Sequence, residues 1–459
     1  MRKYGLFSLL ALVFGALALV AAGCGGGDGD GGAGGGGGEV TALPAASCGA
    51  MQYKGEGKPD YLIASDLPLQ GGSRVQSTQV NKAIVYALDL QDWKAGDKKI
   101  AFQACDDSSA QLGKWDPSKC NANAHAYAAN TSLIGVIGTY NSSCAAIEIP
   151  ILNQAPGGGL MLISPLNTYG CLTEPCAGNE PEKYYPSGKR TYARVAPSDP
   201  NQAAVLAKFM QSKGVKSVYI LNDKEAYGLG VAKNLKGAAE ALGIKVLGFD
   251  SYDPKQANFQ ATFTKIKATN PDGIFIGGLQ DENSGQLIND KVQILGPNTD
   301  SPSKGVMLFM PDGFTTDAVF QRAEGGTPSA KGGYFSVAGV GIDKYKGGAV
   351  TFMNGFKSLI GGKPVEPYSI LGAQAAQVLL DAIERSDGTR SSVIDEIYKT
   401  KITGGLIGDF SLNENGDLSG ASGAAVLYTI YIGTDKLTTL LTTAPEPDLV
   451  DAARKAAAG

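Results

Sequence analysis

The sequence predicts an α/β protein built from two doubly wound lobes. From Asp60 onward short β-branched runs alternate with amphipathic helices, and each run ends in a polar or glycine-rich turn. The alternation starts afresh after Ala196-Pro197-Ser198-Asp199-Pro200. Such alternation builds parallel sheets covered on both faces. Roughly 400 residues follow the N-terminal leader and glycine run, more than one core usually accommodates.

In the first series, strands are expected at 61–65, 99–103, 134–138 and 160–164, with helices at about 77–93, 117–130 and 143–153 between them. In the second, a helix near 201–213 leads to strands at 217–221, 246–249, 273–277 and 306–309. Helices at about 228–242, 257–269 and 283–295 separate those strands. Two α/β halves of similar size place a cleft between two sheets, and ligands of such sheets bind at the carboxyl ends of strands.

The N-terminus reads as an export signal. Met1-Arg2-Lys3 is cationic, Phe7 to Ala22 is almost wholly apolar, and Ala22-Gly23-Cys24 supplies small residues before a cysteine. The apolar run is shorter than the roughly 20 residues of a permanent membrane helix. The order resembles a bacterial lipoprotein signal, residues 1–23, in which Cys24 is lipidated after cleavage; a plain secretory signal is the alternative. Residues 24–57 are expected to form a glycine-rich tether and an N-terminal extension. A Gly-rich coil of about 20 residues spans roughly 25 Å, enough to hold a globular body off a membrane.

Composition narrows the chemistry. The chain is 43% hydrophobic and 18% charged, with a formal charge of −4. Loss of Arg2 and Lys3 with the signal takes −4 to −6, without a basic block, so nucleic acid is not an expected partner. The single histidine, His125, lies in a helical stretch. Ser-His-Asp catalysis would have only this one base, and no His/Cys cluster has zinc spacing, so neither an enzyme nor a metal is expected. Seven cysteines fit an oxidising compartment. With Cys24 lipidated, six remain, which allow 15 pairings; the favoured local closures are Cys171 with Cys176 and Cys105 with Cys120, which leave Cys48 with Cys144.

Three local motifs are decoys. Pro186-Ser187-Gly188-Lys189-Arg190-Thr191 lacks the upstream glycine of a phosphate loop. Gly420-Ala421-Ser422-Gly423 lacks the spacing of a nucleophile elbow. Asp409 to Glu414 lacks the sixth-position glycine of a calcium loop, and a hairpin at Asn413-Glu414-Asn415-Gly416 is expected instead.

The informative residues stand at strand ends. Gly138-Thr139-Tyr140-Asn141-Ser142-Ser143-Cys144 precedes a helix, where a hydroxyl and free backbone N–H groups can hold a carboxylate. Ser164-Pro165-Leu166-Asn167-Thr168 offers a second hydroxyl on the next strand. N-cap and turn roles would account for either motif alone.

With Asn222-Asp223-Lys224-Glu225-Ala226-Tyr227-Gly228, Gly277-Gly278 and Pro311-Asp312-Gly313, these motifs resemble, in order and spacing, the leucine/isoleucine/valine-binding branch of type I periplasmic substrate-binding proteins. Those proteins are the extracytoplasmic receptors of ABC importers. The resemblance runs from about Tyr61 to Ile432. It implies that Ser142 and Thr168 hold a substrate carboxylate. The α-ammonium would meet the Leu166 carbonyl, the Thr168 hydroxyl and Asp312, with Asn141 and Asn167 in the same two motifs. Tyr227 would close from the second lobe, and Tyr140 and Leu279 would surround the ligand side chain. Leu279 stands where branched-chain binders carry an aromatic, and Asp312 is one methylene shorter than their Glu.

The implied architecture has lobe 1 at 58–197 plus 338–417 and lobe 2 at 198–337 plus 418–440. Three crossovers form the hinge, and 441–459 forms a tail. The implied function is a membrane-anchored, monomeric receptor that closes on a small aliphatic amino acid and presents it to a permease. No cofactor is expected. A receptor for an amide, urea or other small polar metabolite is the alternative. A secreted hydrolase and a ligand-free surface lipoprotein are more distant rivals.

Overall fold

The structure, a computed structural model, describes residues 39–459. The signal, Cys24 and the glycine run lie outside the described residues. In the first half, β1 (Tyr61–Leu67), α1 (Arg74–Asp89), β2 (Lys98–Asp106), α2 (Pro117–Ala129), β3 (Leu133–Gly138), α3 (Ser142–Asn153), β4 (Leu162–Ser164) and β5 (Tyr192–Arg194) follow one another. They form a sheet ordered β2-β1-β3-β4-β5, all parallel, with Lys94–Ala95 added antiparallel at the β2 edge. β3 is buried along its whole length, as a strand covered on both faces must be.

The second half continues with α4 (Asp199–Ser212), β6 (Ser217–Asn222), α5 (Ala226–Ala241), β7 (Lys245–Ser251), α6 (Gln260–Thr269), β8 (Gly273–Gly277), α7 (Ser284–Leu295), β9 (Met307–Met310) and β10 (Tyr334–Ala338). The chain then returns to the first sheet with α8 (Gly348–Leu359), α9 (Ser369–Arg385) and α10 (Arg390–Ile397) before β11 (Tyr428–Gly433) and β12 (Leu437–Thr443) close the second. That sheet runs β7-β6-β8-β9-β10-β11-β12, antiparallel only at its last two pairings. α9 packs on α1 and on β3 and β4. Gly372 lets α9 approach α1, since a Cβ there would stand 2.7 Å from Val80.

The chain therefore passes between the sheets three times, after Arg194, after Ala338 and before Tyr428. Arg194 ties the first passage to the third. It is fully buried, and its guanidinium donates to Asp417 Oδ1 at 2.6 Å, the Tyr169 carbonyl at 2.8 Å and Thr173 Oγ1 at 2.6 Å. All three donor nitrogens are engaged.

Several expectations are corrected. The last residues are no tail: β12 runs to Thr443, and α11 (Pro447–Ala458) packs on α4 and α5. Its buried Leu449, Val450 and Ala453 explain why, because they give it an apolar face. The third passage starts after Ser419, since Leu418–Ser419 pairs with Gly408–Leu412 in a small three-stranded sheet. The 413–416 turn is a hairpin, with Asn413 N–H donating to the Asp417 carbonyl and Gly416 N–H to that of Asn413.

The cysteines also pair differently. Cys171–Cys176 forms as expected, but the others are Cys48–Cys105 and Cys120–Cys144. Residues 39–57 do not all act as a spacer. Val40, Leu43 and Cys48 are buried on the first lobe, and Gln52 pairs antiparallel with Phe102 of β2. That pairing sets Cys48 opposite Cys105. Cys120 and Cys144 face each other because α2 and α3 are packed side by side. Non-reducing peptide mapping should return these three linkages.

A buried acidic cluster closes the carboxyl end of the first sheet. Asp66, Asp107, Glu148 and Tyr127 are fully buried, with unpartnered oxygens and no basic residue bonded to them. Burial raises Asp66, and it pushes Asp107 and Glu148 well above the carboxylate range, each also feeling its acidic neighbours. These carboxyls hold their protons to higher pH in the fold than in the unfolded chain, where they ionise above about pH 4. Their stabilisation is therefore fully present below that pH and is lost as pH rises towards the folded values. Asp107→Asn, which cannot ionise, should melt higher than the parent at pH 8 and converge with it at pH 4, as read by thermal denaturation.

Candidate ligand site between the lobes

Two loops of the first lobe are knitted together before they meet the second. After β3, Asn141 caps α3, its side chain accepting from Ser143 N at 2.6 Å and Cys144 N at 3.4 Å. After β4, Ser164 Oγ accepts from the backbone N–H groups of Leu166 and Asn167 and donates to the Thr139 carbonyl. Asn167 Nδ2 donates to the carbonyls of Thr139 and Tyr140 at 2.9 and 3.1 Å. Asn167 thus fixes the Tyr140 loop and does not line the cleft. Asn141 lines it while capping its helix.

From the second lobe come Tyr227 in the first turn of α5, Leu279 after β8, and Asp312 with Gly313 after β9. Tyr227 donates to Asp312 Oδ1 at 2.5 Å and accepts from Gly313 N–H at 2.9 Å. Gly313 must be glycine, since a Cβ would lie 2.4 Å from the Gly278 carbonyl. Tyr368, just before α9 on the first lobe, reaches across and donates to Asp312 Oδ2 at 2.8 Å.

Tyr140, Asn141, Ser142, Leu166, Tyr227, Leu279, Asp312, Gly313 and Tyr368 line one enclosed space. Water-sized centres can occupy about 10 Å³ of it, room for a single water, because the lobes are shut against each other. A ligand enters only when they part.

Beside this space lies a second carboxylate that the sequence reading took only as a boundary marker. Asp199, at the start of α4, is fully buried and neither oxygen has a partner among the described residues. The Thr168 hydroxyl is equally buried and unpartnered, although its carbonyl accepts the Asp199 N–H at 2.8 Å. Burial pushes Asp199 well above the carboxylate range, and Asp312 adds to the rise; Thr168 and Arg194 offset it in part. Burial raises Asp312 too, against the pull of the hydrogen bonds from Tyr227 and Tyr368.

Of the expected site residues, Tyr140, Asn141, Ser142, Leu166, Tyr227, Leu279 and Asp312 come together around the space. Thr168, like Asp199, is not among the residues that line it. Tyr368 was missed, its only signal being a tyrosine ahead of an amphipathic helix far along the chain. His125 is exposed on α2. Asp107 with Cys120 and Cys144, and Asp66 with Cys144 and Glu148, lie within metal-ligand reach, but those sulfurs are bonded to each other. No helix of the described residues is long and apolar enough to cross a membrane.

The fold has counterparts. A family model described as periplasmic binding protein matches residues 63–428. The chain is similar to the Leu/Ile/Val-binding protein BraC3 of Rhizobium johnstonii, 24% identical over 388 residues that span 83% of this chain and 95% of that protein. Among solved structures it resembles the leucine-binding protein LivK of Thermotoga maritima, at 21% identity and a TM-score of 0.70, covering 84% of this chain and 99% of the other. It also resembles an ABC-transporter solute-binding protein of R. palustris in complex with benzoate, at 17% identity and a TM-score of 0.65, covering 84% and 96%. Benzoate has no ammonium, so this fold does not by itself choose the head group. With four-fifths of its length matched by one family model, the chain belongs to the periplasmic binding protein family.

Proposed function

We propose that this protein is the extracytoplasmic receptor of an ABC importer and that it closes over a small aliphatic amino acid. The observation that carries the reading is the pair Asp199 and Asp312. Both are buried, Asp312 lines the space and its charge is felt by Asp199 nearby, and neither makes an ion pair among the described residues. Burying charges unpaired costs several kcal/mol each, so the site asks for a cation from outside. An α-ammonium between Asp199, Asp312 and the free Thr168 hydroxyl answers that demand. The N-terminus of α3, with Ser142, then receives the α-carboxylate on backbone N–H groups and the positive helix end. Leu166, Leu279 and the Tyr140 ring offer apolar surface to the side chain. The Leu/Ile/Val-binding relative supports the same ligand class.

The three passages between sheets serve as the hinge. Ligand contacts made to both lobes exist only when they are closed, and that difference in affinity drives closure. The closed form is what a permease would recognise, and no bond in the ligand is made or broken. Cys24 carries the lipid that holds the receptor, a monomer, to the membrane.

Asp199→Asn and Asp312→Asn should each weaken leucine or isoleucine binding more than a hundredfold by calorimetric titration, about 3 kcal/mol or more for a buried charge left unpaired. Leu279→Ala should reorder preference among aliphatic amino acids with a smaller loss of affinity. 4-Methylpentanoate, which is leucine without its ammonium, should not bind the parent; if it binds as tightly as leucine, the ammonium reading fails. A metabolically labelled Cys24→Ala variant should lack lipid and leave the membrane fraction.

A further inference from the structure

Away from the ligand space, one basic side chain of the first lobe enters an acidic pocket of the second. Lys114 sits on a hairpin between β2 and α2, where Ser108–Ser109 pairs with Lys114–Trp115. Trp115 is buried beneath it, and the Gly113 carbonyl is pressed so closely on Gly71 that no Cβ could fit there. The hairpin is therefore a fixed platform. Lys114 Nζ donates to Glu282 Oε1 and stands 3.9 Å from Glu225 Oε1.

The receiving pocket is built of acids. Glu282 is fully buried, and its second oxygen has no partner. Asp223 is 4% exposed with Oδ2 unpartnered, next to the unpartnered Tyr252 hydroxyl. Asp281 adjoins them. Lys114 is the cation that makes ion pairs with any of these four acids among the described residues. Burial and Asp281 push Glu282 up to about 7, and Lys114 pulls against both. Neighbouring contacts also bridge the lobes: Ser73 donates to Asp281 at 2.7 Å, Ser143 to Glu225 at 2.9 Å, and Arg74 pairs with Glu324 at 2.9 Å on the more exposed rim.

We infer that Lys114 is the latch of the closed state, setting the receptor's affinity for every ligand without touching any of them. When the lobes part, the four acids and Lys114 are rehydrated separately. When they shut, the acids lose water, and among the described residues Lys114 is the cation that pairs with them, the Ser73 and Ser143 hydroxyls adding neutral hydrogen bonds only. Without it the closed state carries the uncompensated cluster and the open state loses nothing, so the equilibrium moves towards open. Apparent affinity falls by the same factor for all ligands, because it scales with the closed fraction.

The inference rests on the receptor reading for its affinity arm, and a second arm is independent of it. Lys114→Met keeps the apolar stem and removes the charge. Small-angle scattering of ligand-free protein should show Lys114→Met more open than the parent. Titration with leucine, isoleucine and valine should show a uniform loss of about 10- to 100-fold. In Lys114→Met with Glu282→Gln, fewer acids are left unpaired, so part of both effects should return. Equal scattering profiles for parent and Lys114→Met overturn the latch, as does an affinity loss confined to one ligand. If no amino acid binds even the parent, the ligand reading fails while the scattering comparison still decides the latch.

Discussion

Two neighbouring buried carboxylates, Asp199 and Asp312, are the constraint around which this molecule is arranged. Asp199 belongs to the helix that begins the second lobe, and Asp312 to the loop at the end of β9. A core would normally pair such groups with a basic side chain. The nearest candidate, Arg194, is already spent at the hinge on Asp417, Tyr169 and Thr173. Its charge tempers Asp199 from a distance and cannot reach Asp312. Among the described residues the deficit therefore stands, and on the proposed reading a ligand bearing a cation relieves it.

The lobes show how that deficit is coupled to motion. Asp312 is held from both sides, by Tyr227 of its own lobe and by Tyr368 of the other. The second of these bonds exists only in the closed arrangement. Closure thus brings together a desolvated acid, its hydroxyl donors and the α3 N-terminus, and at the rim it inserts Lys114 among Glu225, Glu282 and Asp281. Both places follow one rule: acids sit on the second lobe, and what compensates them arrives from the first lobe or from the ligand.

Much of the fold was legible because parallel sheets leave strong local marks. Buried strands such as β3 and β8 read as short apolar runs ending in glycine, and Asn141 announced the start of α3. The strand-end loops gave the Tyr140 and Asp312 parts of the site for the same reason. What was not legible depends on contacts far apart in sequence. The extension lies along β2, so Cys48 meets Cys105, whereas loop length pointed elsewhere. Asn167 looked like a ligand residue by position, yet its amide is consumed by carbonyls of the adjoining loop. Tyr368 arrives from the third portion of the chain after the return to the first lobe, and no local pattern marks a tyrosine for that journey. Asp199 read as a helix-start residue, which it also is; its lack of partners is a property of three dimensions only.

The shorter acid at position 312 makes sense in this setting. A carboxylate one methylene shorter than Glu sits farther back, and here it is flanked by two tyrosine hydroxyls that occupy both of its oxygens. It supplies negative field with little free hydrogen-bonding capacity. Asp199 and Thr168 have the opposite character, with every side-chain oxygen unengaged. On the proposed reading, this division would give the ammonium directed bonds from Asp199 and Thr168 and electrostatic support from Asp312. On that reading the ligand side chain is selected by volume at one end and the head group by charge at the other, two separable determinants.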